Sequence, residues 1–143
     1  MSNEMFCFQC EQTASCTACT GHAGVCGKTA EVADDQDKLT GALIGLARTC
    51  AKGAQATDET YGLVIDGLFT TVTNVNFNDE TVNALIDRIH AESAALASAA
   101  GIDAAADYDV ANIWNDDEDI RSLKSLILFG LRGTSAYASH ARV

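Results

Sequence analysis

The stretch Asn78-Asp-Glu-Thr-Val82-Asn-Ala-Leu85-Ile86-Asp-Arg-Ile89-His-Ala-Glu-Ser-Ala-Ala-Leu96-Ala-Ser-Ala-Ala-Gly101 sets Val82, Leu85, Ile86, Ile89 and Leu96 on one helical stripe. Asn78 supplies a start, Asp79 and Glu80 complement the positive end of the first turn, and Gly101 supplies a stop. Outward from it the same period recurs. Leu39, Leu43, Leu46 and Cys50 line one face of a helix behind a cap at Asp34 or Asp35. Tyr61, Ile65, Leu68, Phe69 and Val72 follow helical spacing, although the run from Phe69 to Val75 is rich in β-branched residues and leaves a strand open there. Residues 102–112 read as a connecting loop. A last helix, capped by Asn115 or Asp116, carries Ile120, Leu123, Ile127, Leu131 and Tyr137 as its buried stripe. The expectation is an all-α fold: a bundle of about four helices over residues 34–143, preceded by a cysteine-rich loop over residues 1–33, in one domain. Its core is expected to hold Leu43, Leu46, Ile65, Phe69, Leu85, Ile89, Leu123, Ile127 and Leu131.

A chain of 143 residues suits one domain that buries roughly two-thirds of its unfolded surface without stapling by disulfides. The net charge of −11, with only nine scattered basic residues, argues against a nucleic-acid surface. Solubility accounts for the acidity, with steering of a basic redox partner as the alternative. The acidic run Asp116 to Asp119 reads as a solvated helix start, since it lacks the ligand pattern of a calcium loop. Residues 1–6 have no basic and apolar leader pattern, and no stretch reaches the ~18 apolar residues of a membrane span. A reducing cytosol is the expected location, where clustered thiols bind metal or do redox chemistry.

Five of the six cysteines, Cys7, Cys10, Cys16, Cys19 and Cys26, fall within twenty residues punctuated by Gly21, Gly24 and Gly27. Thiolates on a flexible loop can surround a soft metal centre. Zinc would use the pairs Cys7/Cys10 and Cys16/Cys19, but five residues between the pairs is cramped for a zinc ribbon. A redox Cys-x2-Cys would need a βαβ context that nothing downstream supplies. Iron–sulfur ligation tolerates varied spacing and needs four thiolates. On spacing alone iron–sulfur leads, zinc follows and other thiol chemistry is last. Cys50 on its helix face reads as a small apolar residue. His90 and His140 read as surface or helix-end residues. His22 is either solvated or a hydrogen-bond donor to a sulfur.

Met5-Phe-Cys-Phe-Gln-Cys-Glu-Gln-Thr-Ala14 and Gly24-Val-Cys-Gly-Lys28 resemble the opening of the hybrid cluster proteins, also called prismane proteins or hydroxylamine reductases. Gln36-Asp-Lys-Leu39, the run from Gly67 to Phe77 and the run from Asp119 to Arg132 resemble the helical N-terminal domain of that family in the same order. The resemblance implies an iron–sulfur cluster on Cys7, Cys10, Cys19 and Cys26, with Cys16 the extra thiol. It implies [4Fe–4S] in preference to [2Fe–2S]: eight residues between Cys10 and Cys19 suit the cubane-binding members, whereas six between Cys19 and Cys26 are nearer the others. Family members continue into two α/β domains whose His, Glu and four further cysteines hold the catalytic hybrid cluster. With Cys50 the single cysteine after Cys26, the expected role is an electron-entry module that serves the missing catalytic domains or a redox partner protein and is not catalytic alone. A zinc-stabilised interaction domain and an iron–sulfur cluster carrier are the alternatives.

Overall fold

The computed structural model describes residues 5–10, 17–72 and 75–142. Among the described residues five helices follow in order: α1 (Ala30–Ala51), α2 (Asp58–Thr70), α3 (Asp79–Ala100), the single turn α4 (Ala111–Trp114) and α5 (Glu118–Ala141). The fold is all-α, and among the described residues extended pairing is limited to two isolated bridges, Cys7 with Cys19 and Ala23 with Thr29. Residues 69 and 70 are helical, so the β-branched run does not become a strand where it is described; Thr73 and Asn74 lie outside the described residues.

The core forms where α1, α2 and α3 meet. Leu39, Leu43 and Leu46 from α1, Leu63 from α2, and Val82, Leu85, Ile86, Ile89 and Leu96 from α3 are all buried, with Cys50 and Leu68 partly buried against them. The stripe read from residues 78–101 is the one observed, between the Asn78 cap, whose side chain accepts from the Thr81 N–H, and Gly101 at φ 66°. Ile65 and Phe69 are only half-buried, because α2 turns Leu63 and Gly67 inward instead.

The first helix starts a turn earlier than expected. Thr29 caps it through the Val32 N–H, so neither Asp34 nor Asp35 is the cap. Both carboxylates lie inside α1 and pair with Lys38 at 2.6 and 3.0 Å, and Asp35 also accepts from Asn83 of α3. The early start has a packing reason: Val32 and Ala33, ahead of the aspartates, are themselves buried.

Residues 102–112 are fixed to α1, not loosely connecting. Tyr108 donates its N–H to the Gly41 carbonyl at 3.1 Å, and Ala105 donates to Thr49 Oγ1 at 2.9 Å. A Cβ at Gly41 would fall on the Tyr108 carbonyl oxygen, closer than non-bonded atoms approach. Glycine at 41 is what lets this segment lie along the helix.

The largest correction concerns α5. Its cap is Asp117, not Asn115 or Asp116; Asp116 instead pairs with Lys124. The expected buried stripe is open to solvent: Leu123 and Ile127 are each 61% exposed, Tyr137 82%, and Ile120 and Leu131 close to half. The face turned inward carries Leu128, Arg132 and Ser135. It packs mainly on α2, with Arg132 donating to Thr71 and Arg142 to Asp66. Periodicity marked an apolar stripe correctly but could not show which side faced the bundle, and here the polar side does, because its arginine has buried hydroxyl partners. Leu46→Ala should therefore cost ~2–5 kcal/mol and Ile127→Ala within about 0.5 kcal/mol. Gly41→Ala should rank with the core change, and urea unfolding monitored by circular dichroism separates the three.

Candidate metal centre

Residues 5–8 pass through the Cys7 bridge into a bend at Gln9 and Cys10, and burial alternates along them. Met5, Cys7 and Gln9 are buried, whereas Phe6 and Phe8 emerge on the other side. There the two rings close on Trp114 at centroid distances of 5.2 Å each, and Arg121 lies over the indole at 4.8 Å. The aromatic trio fixes the cysteine strand to α4 and the start of α5.

Cys7 and Cys19 exchange both backbone hydrogen bonds, at 3.0 and 2.8 Å. Residues so paired carry their side chains on the same face, and both side chains are buried with Met5 and Ala33. Cys26 stands in a tight turn in which Gly27 donates to the Gly24 carbonyl at 2.8 Å with φ 86°, a left-handed conformation suited to glycine. Cys7, Cys10, Cys19, Cys26 and Cys50 all carry free thiols. Cys16 lies outside the described residues. Among the described residues no three His, Cys, Asp or Glu side chains are gathered within reach of one ion; Cys7 and Cys19 are brought together. Cys50 lies in α1 against the core. His90 meets Asp107 at 2.9 Å, and the His140 ring meets Phe69 edge-on. His22 is exposed in the loop.

Beneath the thiols is a buried polar network that the sequence reading missed. Lys28 is 3% exposed and donates from Nζ to Gln36 Oε1 at 2.5 Å and Gln9 Oε1 at 3.2 Å. Gln9 Nε2 donates to Asp37 Oδ1 at 2.5 Å, and Gln36 Nε2 to the Asn76 carbonyl at 2.8 Å. Arg132, 6% exposed, donates to Thr71 at 3.0 Å and to Thr40 at 3.5 Å. Among the described residues these two buried cations share one nearby carboxylate, Asp37. A buried charge is costly unless compensated: burial lowers the Arg132 pKa, opposed by Asp37 and by the Cys7 and Cys10 sulfurs where these are ionised. Burial likewise raises the Cys7 thiol pKa, with the Gln9 N–H and Lys28 acting in the opposite direction. The donor set suits a soft, thiophilic centre, whose bound thiolates would supply the anionic charge these cations lack.

A family-wide comparison matches residues 5–143 to the Prismane/CO dehydrogenase family. The chain belongs to that family. Hydroxylamine reductase of Methanocaldococcus jannaschii is 38% identical, over 96% of this chain and 29% of its own length. That of Syntrophobacter fumaroxidans is 42% identical over 97% and 30%, and that of Maridesulfovibrio salexigens 37% over 97% and 30%. The chain spans less than a third of the length of these relatives. No helix among the described residues is long and apolar enough to cross a membrane.

Burial, as the leading cause, pushes the Asp37 carboxyl up to about 6, against the Gln9 hydrogen bond and the charges of Arg132 and Lys28. A carboxyl raised in the folded state favours folding most below its unfolded pKa of 3.8, and that contribution is lost as pH rises through 6. Asp37→Asn keeps the acceptor for Gln9 and removes the titration. Measured on metal-free protein, its stability relative to the parent should climb between pH 4 and pH 7, by up to ~3 kcal/mol. A parallel pair of pH–stability curves would contradict the burial of this charge.

Proposed function

We propose that this chain is an iron–sulfur electron-transfer module of the prismane family, holding one cluster, [4Fe–4S] in preference to [2Fe–2S], on Cys7, Cys10, Cys19 and Cys26. The observation that carries the reading is the buried pair Cys7/Cys19 beside two buried cations, Lys28 and Arg132, which among the described residues have Asp37 as their nearby carboxylate. Anionic thiolates at this spot would complete the charge balance, which a structural role for the cysteines alone would leave open. Bound there, the cluster would supply one-electron transfer at a site with all four positions filled by protein sulfur. Lys28 and Arg132 would favour its more negative, reduced form. Phe6, Phe8 and Trp114 shield one side of the loop from water.

The reading extends to a cytoplasmic location, to the remaining domains of a family-length enzyme or another redox protein as electron acceptor, and to residues 1–143 acting as one unit. Relatives named hydroxylamine reductase are over three times as long as the stretch matched here, and reduction of an N–O bond needs open coordination and stored electrons, which four thiolates do not offer.

Anaerobically prepared protein should contain iron and acid-labile sulfide and show a visible chromophore. Cys→Ser at any of the four positions should remove most of both, because every ligand is needed to close the site; Cys16→Ser should not. Colourless protein with one zinc per chain would replace this reading with a zinc-stabilised interaction domain. Dithionite-reduced protein should be reoxidised by a ferredoxin-type acceptor, yet turn over hydroxylamine no faster than a simple ferredoxin does. Sustained turnover well above that control, abolished in Cys7→Ser, would reveal catalysis within this chain.

A further inference from the structure

The four proposed ligands sit on three pieces of the loop, and the bridge between Cys7 and Cys19 joins only two of them. The third is the turn of Cys26. It is closed by the Ala23–Thr29 bridge and by Gly24, which donates its N–H to the Lys28 carbonyl at 2.8 Å. A Cβ at Gly24 would stand 3.5 Å from Cys26 Sγ and 3.6 Å from Lys28 Cβ, so the sulfur and the stem of the lysine border the same point of the turn. From there the lysine crosses to the strand, where its Nζ donates to Gln9 Oε1 at 3.2 Å. Gln9 stands between Cys7 and Cys10 in the chain. Among the described residues this is the one side-chain hydrogen bond between the turn and that strand. Its two ends are braced, the ammonium by Gln36 of α1 and Gln9 by Asp37.

We propose that Lys28 is a positioning residue for the cluster: its side chain fastens the Cys26 turn to the strand of Cys7 and Cys10 and sets a cation beside the sulfurs. The inference rests on the ligand set proposed above. A hydrogen bond from a charged donor is roughly twice as strong as a neutral one, and burial protects it from competing water. The link is therefore able to hold the turn in place before any iron arrives. Amide oxygens orient the ammonium without neutralising it, so its charge still reaches the sulfurs, and at Cys7 it favours the ionised form. The helical core is a separate cluster of side chains from the one that holds Cys7 and Cys19. Loss of the link should loosen the loop and leave the bundle as it is.

The first measurement uses metal-free protein kept anaerobic, with iodoacetamide labelling of the buried Cys7 and Cys19 followed by mass spectrometry. Lys28→Met keeps the length of the side chain and removes donor and charge; it should raise the labelling rate about tenfold, as loss of one charge-assisted hydrogen bond does to local opening. Gln9→Met should do the same. The double variant should label no faster than either, because both changes break one link. Helical circular dichroism and Cys50 labelling should stay at the parent level throughout. Should Lys28→Met lose its helical signal, Gln9→Met carries the labelling test. Iron-loaded protein gives the second measurement. Lys28→Met should hold iron about 10- to 100-fold less tightly, and its midpoint potential should fall, whereas Gln9→Met, which keeps the ammonium, should stay nearer the parent. Lys28→Gln takes its place if Lys28→Met takes up no iron. Parent-like labelling in either single variant overturns the proposal. So does raised labelling with an unchanged potential, since Lys28 would then anchor the loop and do nothing for the cluster. Parent protein that binds no iron sinks the cluster reading itself; parent protein that binds iron while labelling ignores Lys28→Met sinks the positioning role alone.

Discussion

The ammonium group of Lys28, held between Gln36 and Gln9, is the constraint around which the head of the molecule is arranged. A buried lysine of this kind can stay charged only where fixed dipoles and neighbouring anions replace its lost water. Gln36 supplies one dipole from α1 and is held in turn by the Asn76 carbonyl, just before α3. Gln9 supplies the other from the cysteine strand and is held by Asp37. One ammonium thus joins the loop, the first helix and the entrance to the third. The register of Cys7 against Cys19, and the exit of Phe6 and Phe8 towards Trp114, follow from a strand whose alternate residues must reach this anchor.

Arg132 does for the far side what Lys28 does for the near side. It crosses from α5 to Thr71 at the end of α2 and Thr40 on α1, and those hydroxyls are held by the Leu68 and Gln36 carbonyls. This explains why α5 turns its polar side inward. A helix whose fully buried contacts to the body are a guanidinium and a serine, beside the half-buried Leu128, gains little apolar burial there, and its other leucines lie exposed. The usual rule that the greasy face marks the inside fails because the inside of this helix has been given to electrostatics.

That inversion also shows how far the sequence could be read. The α3 stripe, the Asn78 cap and the Gly101 stop were legible because local chemistry and apolar period agree there with the packing. On α5 the period was equally clear, but a stripe carries no sign: Ile120, Leu123 and Ile127 look the same whether they face a core or a partner. The start of α1 was missed because Thr29 is an ordinary cap one turn ahead of a conspicuous acidic pair. The cysteines were legible as a cluster. Their buried cations were not, since Lys28 and Arg132 are separated by more than a hundred positions, and nothing in the spacing of a lone lysine or arginine announces that it will lose its water.

The wide separation in sequence of the parts that meet at Arg132 has a consequence for biosynthesis. The thiols leave the ribosome first, whereas the guanidinium that packs below them is made about a hundred residues later, after roughly 5–20 s of elongation at ordinary rates. Until then Thr40, and Thr71 once it is made, wait without their partner, and the cysteine strand lacks Arg132 beneath it and, for most of the interval, Trp114 to lean on. Sulfurs that end up sheltered in the folded protein are thus born exposed. Whatever keeps them reduced must act on the nascent chain, before the helix that completes their shelter exists.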